Sequence, residues 1–144
     1  MIVQDIYLER IDWHVKIYYA VTTYYADEIL DDLISIGCKG DDLKKAKKNL
    51  WEGKLDTGLT YSNIYDHETV IVIAKASSGS EYWNSIDHEK NHLLQHISLA
   101  YHINPYGEEI SYISGEFIRD VYRVAKSILC DCCRKKIYKM RIVM

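Results

Sequence analysis

The sequence has little that would form a linker or a tail, since its 144 residues include one proline, seven glycines and no low-complexity segment. Flexible linkers need such composition, so we expect a single domain over residues 1–144. A chain of this length can bury one sizeable core but not two comfortable ones. The apolar runs are short, as at Val70 to Ala74, and none is long enough to span a membrane.

Phenylalanine is nearly absent, with one residue against 13 tyrosines. Much of the aromatic packing must therefore find a partner or a surface for a hydroxyl group. A strong charge of either sign is also missing, because 18 basic and 21 acidic residues give a formal net charge of −3. This gives no electrostatic case for nucleic acid as a general partner, and we expect no membrane partner either.

The N-terminal residues contain neither the basic segment nor the sustained apolar segment of a signal peptide, so we expect an intracellular, cytoplasmic protein. Of the four cysteines, Cys38 is isolated and the others cluster at Cys130, Cys132 and Cys133. In the cytoplasm these are expected to be reduced thiols. A thiolate zinc site usually has a second ligand pair, which Cys38 alone does not supply, so packing or surface thiols are the preferred interpretation.

Apolar periodicity predicts strands and helices along the whole chain. The predicted strands cover residues 14–22, 58–63 and 68–74, with a short one at 136–143, and the predicted helices cover 23–36, about 41–51, about 78–101 and about 108–129. Ser78 and Glu81 have the spacing of a capping box at the start of the third helix. The order β-α-α-β-β-α-α-(β) predicts an α+β fold with helices packed on a small sheet.

A candidate metal site lies within the third predicted helix. His88 and His92 are four residues apart, which brings both imidazoles to one face, about 6 Å apart along the axis, where they can bind one zinc ion. Glu89 lies beside the metal, where it could take a proton from a zinc-bound water. The alternative interpretation is an exposed pair of histidines beside a solvated glutamate.

A catalytic zinc site needs a third protein ligand and one open position. His96 is excluded, because eight helical residues span about 12 Å, and His102 would require the helix to unwind early. The better candidate is a carboxylate at the start of the fourth helix, which can fold back antiparallel on the third. Glu108 and Glu109 are both there, although acidic residues are also common in an ordinary first helical turn.

Several segments together resemble a family, the short gluzincin-type metallopeptidases encoded by bacteriophages, prophages and other mobile elements. The segments are Gly58-Leu59-Thr60-Tyr61-Ser62-Asn63, Val70-Ile71-Val72-Ile73, Ser77-Ser78, Ser85-Ile86-Asp87-His88-Glu89-Lys90-Asn91-His92 and Gly107-Glu108-Glu109-Ile110-Ser111-Tyr112-Ile113-Ser114-Gly115. The resemblance covers roughly residues 55 to 120. It implies a minimal zincin-like domain with His88, His92 and Glu108 as zinc ligands, Glu89 as the general base, and Glu109 as the fallback ligand. Lys90 departs from the family pattern, in which the residues between the glutamate and the second histidine are usually uncharged.

The resemblance also implies a zinc-dependent peptidase that hydrolyses peptide bonds, in a host cytoplasm or in a virion. The strand at Val70 to Ala74 would be the edge that pairs with an extended peptide or protein substrate. Tyr112 could donate a hydrogen bond to the oxyanion of the intermediate, although a tyrosine at this position more often packs between two helices. The alternative function is an inactive zinc-binding domain that serves as a structural or protein-binding component of a phage.

Overall fold

A four-stranded sheet with helices on both faces forms the fold of residues 2–136, the part of the chain that the computed structural model describes. The strands are β1 (Ile2–Leu8), β2 (Trp13–Val21), β3 (Gly58–Asn63) and β4 (Glu68–Ala74). The helices are α1 (Ala26–Ser35), α2 (Gly40–Glu52), α3 (Gly79–Tyr101) and α4 (Glu108–Leu129), with 3-10 turns at Glu9–Ile11 and Thr23–Tyr25 and a short helical turn at 131–136. The predicted α+β class is confirmed.

The strand order in the sheet is β1-β2-β4-β3. β2 and β4 are parallel, and both outer strands pair antiparallel with their neighbours. Because β4 is hydrogen-bonded on both sides, its main chain has no open edge. The prediction that Val70–Ala74 is an edge strand for a peptide is therefore wrong, and β3 is the edge strand on that side of the sheet.

Side chains of the central strands supply two cores, one on each face of the sheet. In β4, Ile71 and Ile73 belong to the core beneath α3 and α4, whereas Val70 and Val72 belong to the core beneath α1 and α2. Successive side chains of a strand point to opposite faces. A strand that is covered on both faces therefore needs the continuous apolar run that β4 has.

The two helices of one layer lie over different halves of the sheet. α3 packs on β3 and β4, and α4 packs on β1. A hydrogen bond of 2.8 Å from the Gln4 side chain on β1 to the carbonyl of Asp120 on α4 fixes the second of these contacts. One flank of α3 therefore faces the β3 edge of the sheet, and the other flank faces α4.

The capping box predicted at the start of α3 is confirmed, and the helix bounds agree closely with the predicted ones. Ser78 Oγ accepts a hydrogen bond from the Glu81 amide at 3.2 Å, and the Glu81 carboxylate accepts one from the Ser77 hydroxyl at 2.7 Å. β1 was not predicted. The predicted strand at 136–143 begins at Lys136, which is helical, and the rest of it lies outside the described residues. No helix within residues 2–136 is long and apolar enough to cross a membrane.

Candidate metal centre

The surface of α3 brings the two predicted histidine ligands together. His88 is exposed and His92 is partly exposed, and their Nε2 atoms are 3.2 Å apart. Two nitrogens that bind one tetrahedral zinc ion at about 2.0–2.1 Å are separated by roughly 3.3 Å. Without metal, a hydrogen bond between the two imidazoles accounts for the same distance. The pair therefore has the spacing of two ligands of one ion.

The histidine pair lies on the flank of α3 that faces β3. One turn further along the helix, His96 Nδ1 is 2.6 Å from Ser62 Oγ of β3. Residues four apart lie on the same side of a helix, so His88, His92 and His96 follow one flank. As expected from its reach, His96 binds the sheet and is not paired with His88.

Glu89 points into the protein, and the residue is only 2% exposed. Its Oε2 accepts a hydrogen bond from the Thr57 hydroxyl at 2.6 Å, and its Oε1 accepts one from the Thr60 hydroxyl at 2.9 Å. Both carboxylate oxygens therefore have partners in β3 or in the residue just before it. The alternative of a solvated glutamate is wrong, and the role of Glu89 as a general base stays a prediction.

Glu108 and Glu109 lie at the start of α4, on the other side of α3 from the histidine flank. Both are exposed, and Glu109 lines a surface pocket with Arg10 and Tyr101 near the 3-10 turn after β1. β1 and β3 are opposite edges of the sheet. The structure therefore does not bring either carboxylate to the histidine pair.

Tyr112 is also remote from the pair. It is 59% exposed, and the guanidinium carbon of Arg10 is 5.5 Å from the centre of its ring. It is not packed between two helices, so that expectation is wrong. Its proposed contact with a reaction intermediate stays a prediction.

Lys90, the departure from the peptidase pattern, does not approach the pair either. Its Nζ is 2.8 Å from Asp87 Oδ1, one turn earlier on α3. The charge of Lys90 is therefore paired with a neighbour on the same helix. Lys90 is thus compatible with a metal on the opposite side of the helix.

The residues fit a metal ion only in part. His88 and His92 offer two imidazole nitrogens at ligand spacing. Within residues 2–136, no group of three histidine, cysteine, aspartate or glutamate side chains is arranged to hold a metal ion. The three-ligand set of a gluzincin is therefore not assembled in this conformation.

A series of hydrogen-bonded polar side chains beneath α3 was not predicted from the sequence. Trp13 Nε1 donates to Thr69 Oγ1 at 2.8 Å, the Thr69 and Ser62 hydroxyls are 2.7 Å apart, and Ser62 reaches His96. An indole N–H only donates, so a consistent chain of donors runs from Trp13 through Thr69 and Ser62 to Nδ1 of a neutral His96. Burial, and then the charge of His92, lowers the pKa of His96 and favours this neutral form.

One signal for these contacts is present in the sequence of β3. Thr60 and Ser62 are two apart, so they point to the same face of the strand, and that face contacts Glu89 and His96. Polar residues on a half-buried face need partners. Their partners must then come from the polar positions of the helix that covers the strand.

A groove of about 510 Å³ follows the open side of β3. It is lined by residues of α2, including Lys45 and Asn49, by β3 from Gly58 to Ser62, and by His96 of α3. The main chain of an edge strand has unpaired N–H and C=O groups. The groove therefore exposes an edge at which an extended chain could be added.

No protein-family model, no curated protein and no solved structure matches this chain. The resemblance to gluzincin-type peptidases stays a prediction from the residues.

Proposed function

We propose that this chain is a zinc-binding domain whose metal is held by His88 and His92. The observation that supports this proposal is the 3.2 Å separation of the two Nε2 atoms. Neutral imidazole is the commonest protein ligand for such metals. An i, i+4 pair on a helix can bind without any change of the backbone.

The proposed role is protein interaction, with the metal as part of the binding surface. Two protein ligands leave two positions of a tetrahedral ion open for water or for a side chain of a partner. The Glu89 carboxylate accepts hydrogen bonds from Thr57 and Thr60, and Glu108 is on the other flank of α3. These contacts favour metal-dependent binding over a complete catalytic centre.

The second candidate is a zinc-dependent, gluzincin-like peptidase with a minimal zincin-like fold. The observation in its favour is the open edge of β3 on the same side of α3 as the histidines, with a groove along it. An extended peptide could pair with this edge through main-chain hydrogen bonds. This candidate requires a third metal ligand that residues 2–136 do not supply in the present conformation.

Zinc-dependent stability tests metal binding. A ligand that binds only the folded state at 100 times its Kd stabilises it by about 2.7 kcal/mol. We expect zinc to raise the urea midpoint of the metal-free chain and to have little effect on His92→Ala. His14→Gln, which changes an exposed histidine of β2, is the matched control and should respond like the parent. An equal response of His92→Ala and the parent would contradict the proposal.

Hydrolysis of a peptide panel with and without zinc separates the two candidates. Zinc-dependent cleavage that is lost in Glu89→Gln, with zinc still bound, would establish the peptidase. Zinc binding without cleavage by the parent supports the interaction domain.

A further inference from the structure

Three cysteines lie together after α4, away from the histidine pair. Cys130, Cys132 and Cys133 are all exposed free thiols, whereas Cys38 is buried in the core beneath α1 and α2. The three exposed residues follow the last residue of α4, Leu129, and lead into the helical turn at 131–136. Three accessible thiols are therefore concentrated within four consecutive positions.

Cys130 and Cys133 are three residues apart on this turn, and a hydrogen bond joins their side chains. The Cys133 thiol donates a hydrogen bond to the Cys130 sulfur, which also accepts from the amides of Cys133 and Cys132. The carbonyl of Cys130 accepts from the Arg134 amide at 2.9 Å, which closes the turn around the pair. A Cys-x-x-Cys pair in one helical turn has its Cα atoms within the range that a disulfide bridges.

Arg134 fixes this turn to the body of the protein. The residue is 5% exposed, and its guanidinium donates to the Ile128 carbonyl at 2.8 Å and to the Ser77 carbonyl at 3.3 Å. It also pairs with Asp131 and lies over the Tyr82 ring, 5.9 Å from its centre. The two thiols are thus held on a turn that is anchored to both α4 and the start of α3.

The same contacts make the two thiols chemically unequal. The amide and thiol donors lower the pKa of Cys130, and the hydrogen bond between the two side chains raises the pKa of Cys133. The thiolate is the nucleophile in thiol–disulfide exchange. Cys130 is therefore suited to attack first, and Cys133 is suited to resolve.

We propose that Cys130 and Cys133 form a reversible dithiol–disulfide couple that exchanges with disulfide substrates. With oxidised glutathione, the Cys130 thiolate attacks one sulfur, the glutathione S–S bond breaks, and one glutathione leaves as a thiolate. Cys133 then loses its proton to water and attacks Cys130 Sγ, which expels the second glutathione and forms the Cys130–Cys133 disulfide. Two protein thiols are oxidised while one glutathione disulfide is reduced to two thiols.

The test uses the full chain in anaerobic buffers with varied ratios of reduced to oxidised glutathione, followed by acid quenching, alkylation and peptide mapping by mass spectrometry. We expect a Cys130–Cys133 bridge that titrates as one two-electron couple, unchanged in Cys132→Ser and Cys38→Ser. A bridge that involves Cys132 in the parent, or no intramolecular bridge at any ratio, would overturn the proposal.

Two further variants test the order of attack. Cys133→Ser should stop at a glutathione adduct on Cys130, whereas Cys130→Ser should form adducts more slowly on the remaining thiols. Equal rates of adduct formation in the two variants would also overturn the proposal. Both positions are exposed, and circular dichroism of each variant confirms that the helices are retained before the rates are compared.

Discussion

The carboxylate of Glu89 joins α3 to the sheet through the hydroxyls of Thr57 and Thr60. A buried carboxylate is stable only when donors replace the water that it has lost. The two threonines therefore matter for stability beyond what their partial exposure suggests. They also hold the turn of α3 that carries His88 and His92.

Replacement of Thr60 by the isosteric valine should reveal this contribution. Because a hydrogen bond to a charged group contributes about 1.5–3 kcal/mol, Thr60→Val is expected to lower the free energy of unfolding by that amount in urea at neutral pH. Thr22→Val is the control, since the Thr22 side chain forms no helix-capping hydrogen bond. If Thr60→Val costs no more than Thr22→Val, the hydroxyl does not support Glu89.

His96 makes a second prediction, on the pH dependence of stability. Its pKa is lowered from 6.5 by burial and by His92, so the unfolded chain takes up a proton at a pH where the folded chain does not. The stability that the neutral form of His96 contributes is complete above pH 6.5, and it is lost as the pH falls from there through the pKa of the folded state. We expect stability, measured by urea unfolding with a chelator present, to fall on acidification.

The matched variants isolate the histidine responsible. His96→Gln should show a smaller loss of stability between pH 7.5 and pH 5.5 than the parent, whereas His14→Gln should follow the parent. Identical pH dependence in the parent and in His96→Gln would show that His96 is protonated equally in both states.

At the scale of single elements, most helices and strands were predictable from the sequence because turn-forming residues mark their ends. The break at Asn104-Pro105 separates α3 from α4, and the β-branched run of β4 has turn residues before it. β1 was missed for a physical reason. Gln4 shares the inward side of the strand with Ile6 and Leu8, and it is satisfied there by Tyr19 and by the carbonyl of Asp120. These partners are distant in sequence, so the alternation looked broken.

The strand that was not predicted, β1, also explains why the position of Glu108 relative to the histidines did not follow from the sequence. α4 packs over β1. Because β1 was not predicted, the sequence did not indicate that α4 lies away from the histidine flank of α3. The antiparallel return of α4 was predictable from the turn before Glu108, but the side of α3 on which it returns was not. In the same way, the pairing of β4 with β2 depends on contacts between distant residues.

Two glycines give opposite predictions for strand and helix. Gly58 has φ +153°, and a Cβ at this position would lie 1.8 Å from the carbonyl oxygen of Val72. Gly58→Ala is therefore expected to destabilise the fold by more than about 1 kcal/mol. Gly115 is exposed within α4 with nothing near its Cβ position, so Gly115→Ala should stabilise it by about 0.5–1 kcal/mol.

Thermal and urea unfolding of the two variants would check this pair of predictions. A strand that tolerates alanine at Gly58 without loss would contradict the close pairing of β3 with β4. In the same experiment, Gly115→Ala measures the effect of replacing glycine by alanine at a position where the new methyl group meets nothing.

At the scale of the whole molecule, the covered sheet places two chemically distinct features at separate sites. The histidine pair lies on the β3 flank of α3, and the thiol pair lies after α4, where Arg134 joins it to Ser77, just before α3. Both features sit on the helical layer over the same face of the sheet. Neither requires the other, so the metal and redox proposals can be tested in separate variants.

Calorimetric titration of the metal-free chain with zinc tests the central claim most directly, with the exposed thiols of Cys130, Cys132 and Cys133 blocked by alkylation so that they cannot bind the metal. The account predicts one zinc ion per chain, bound by the parent and by His14→Gln, and no binding at that site in His88→Ala or His92→Ala. Zinc binding that is unchanged in both alanine variants, or no binding by the parent, would contradict it.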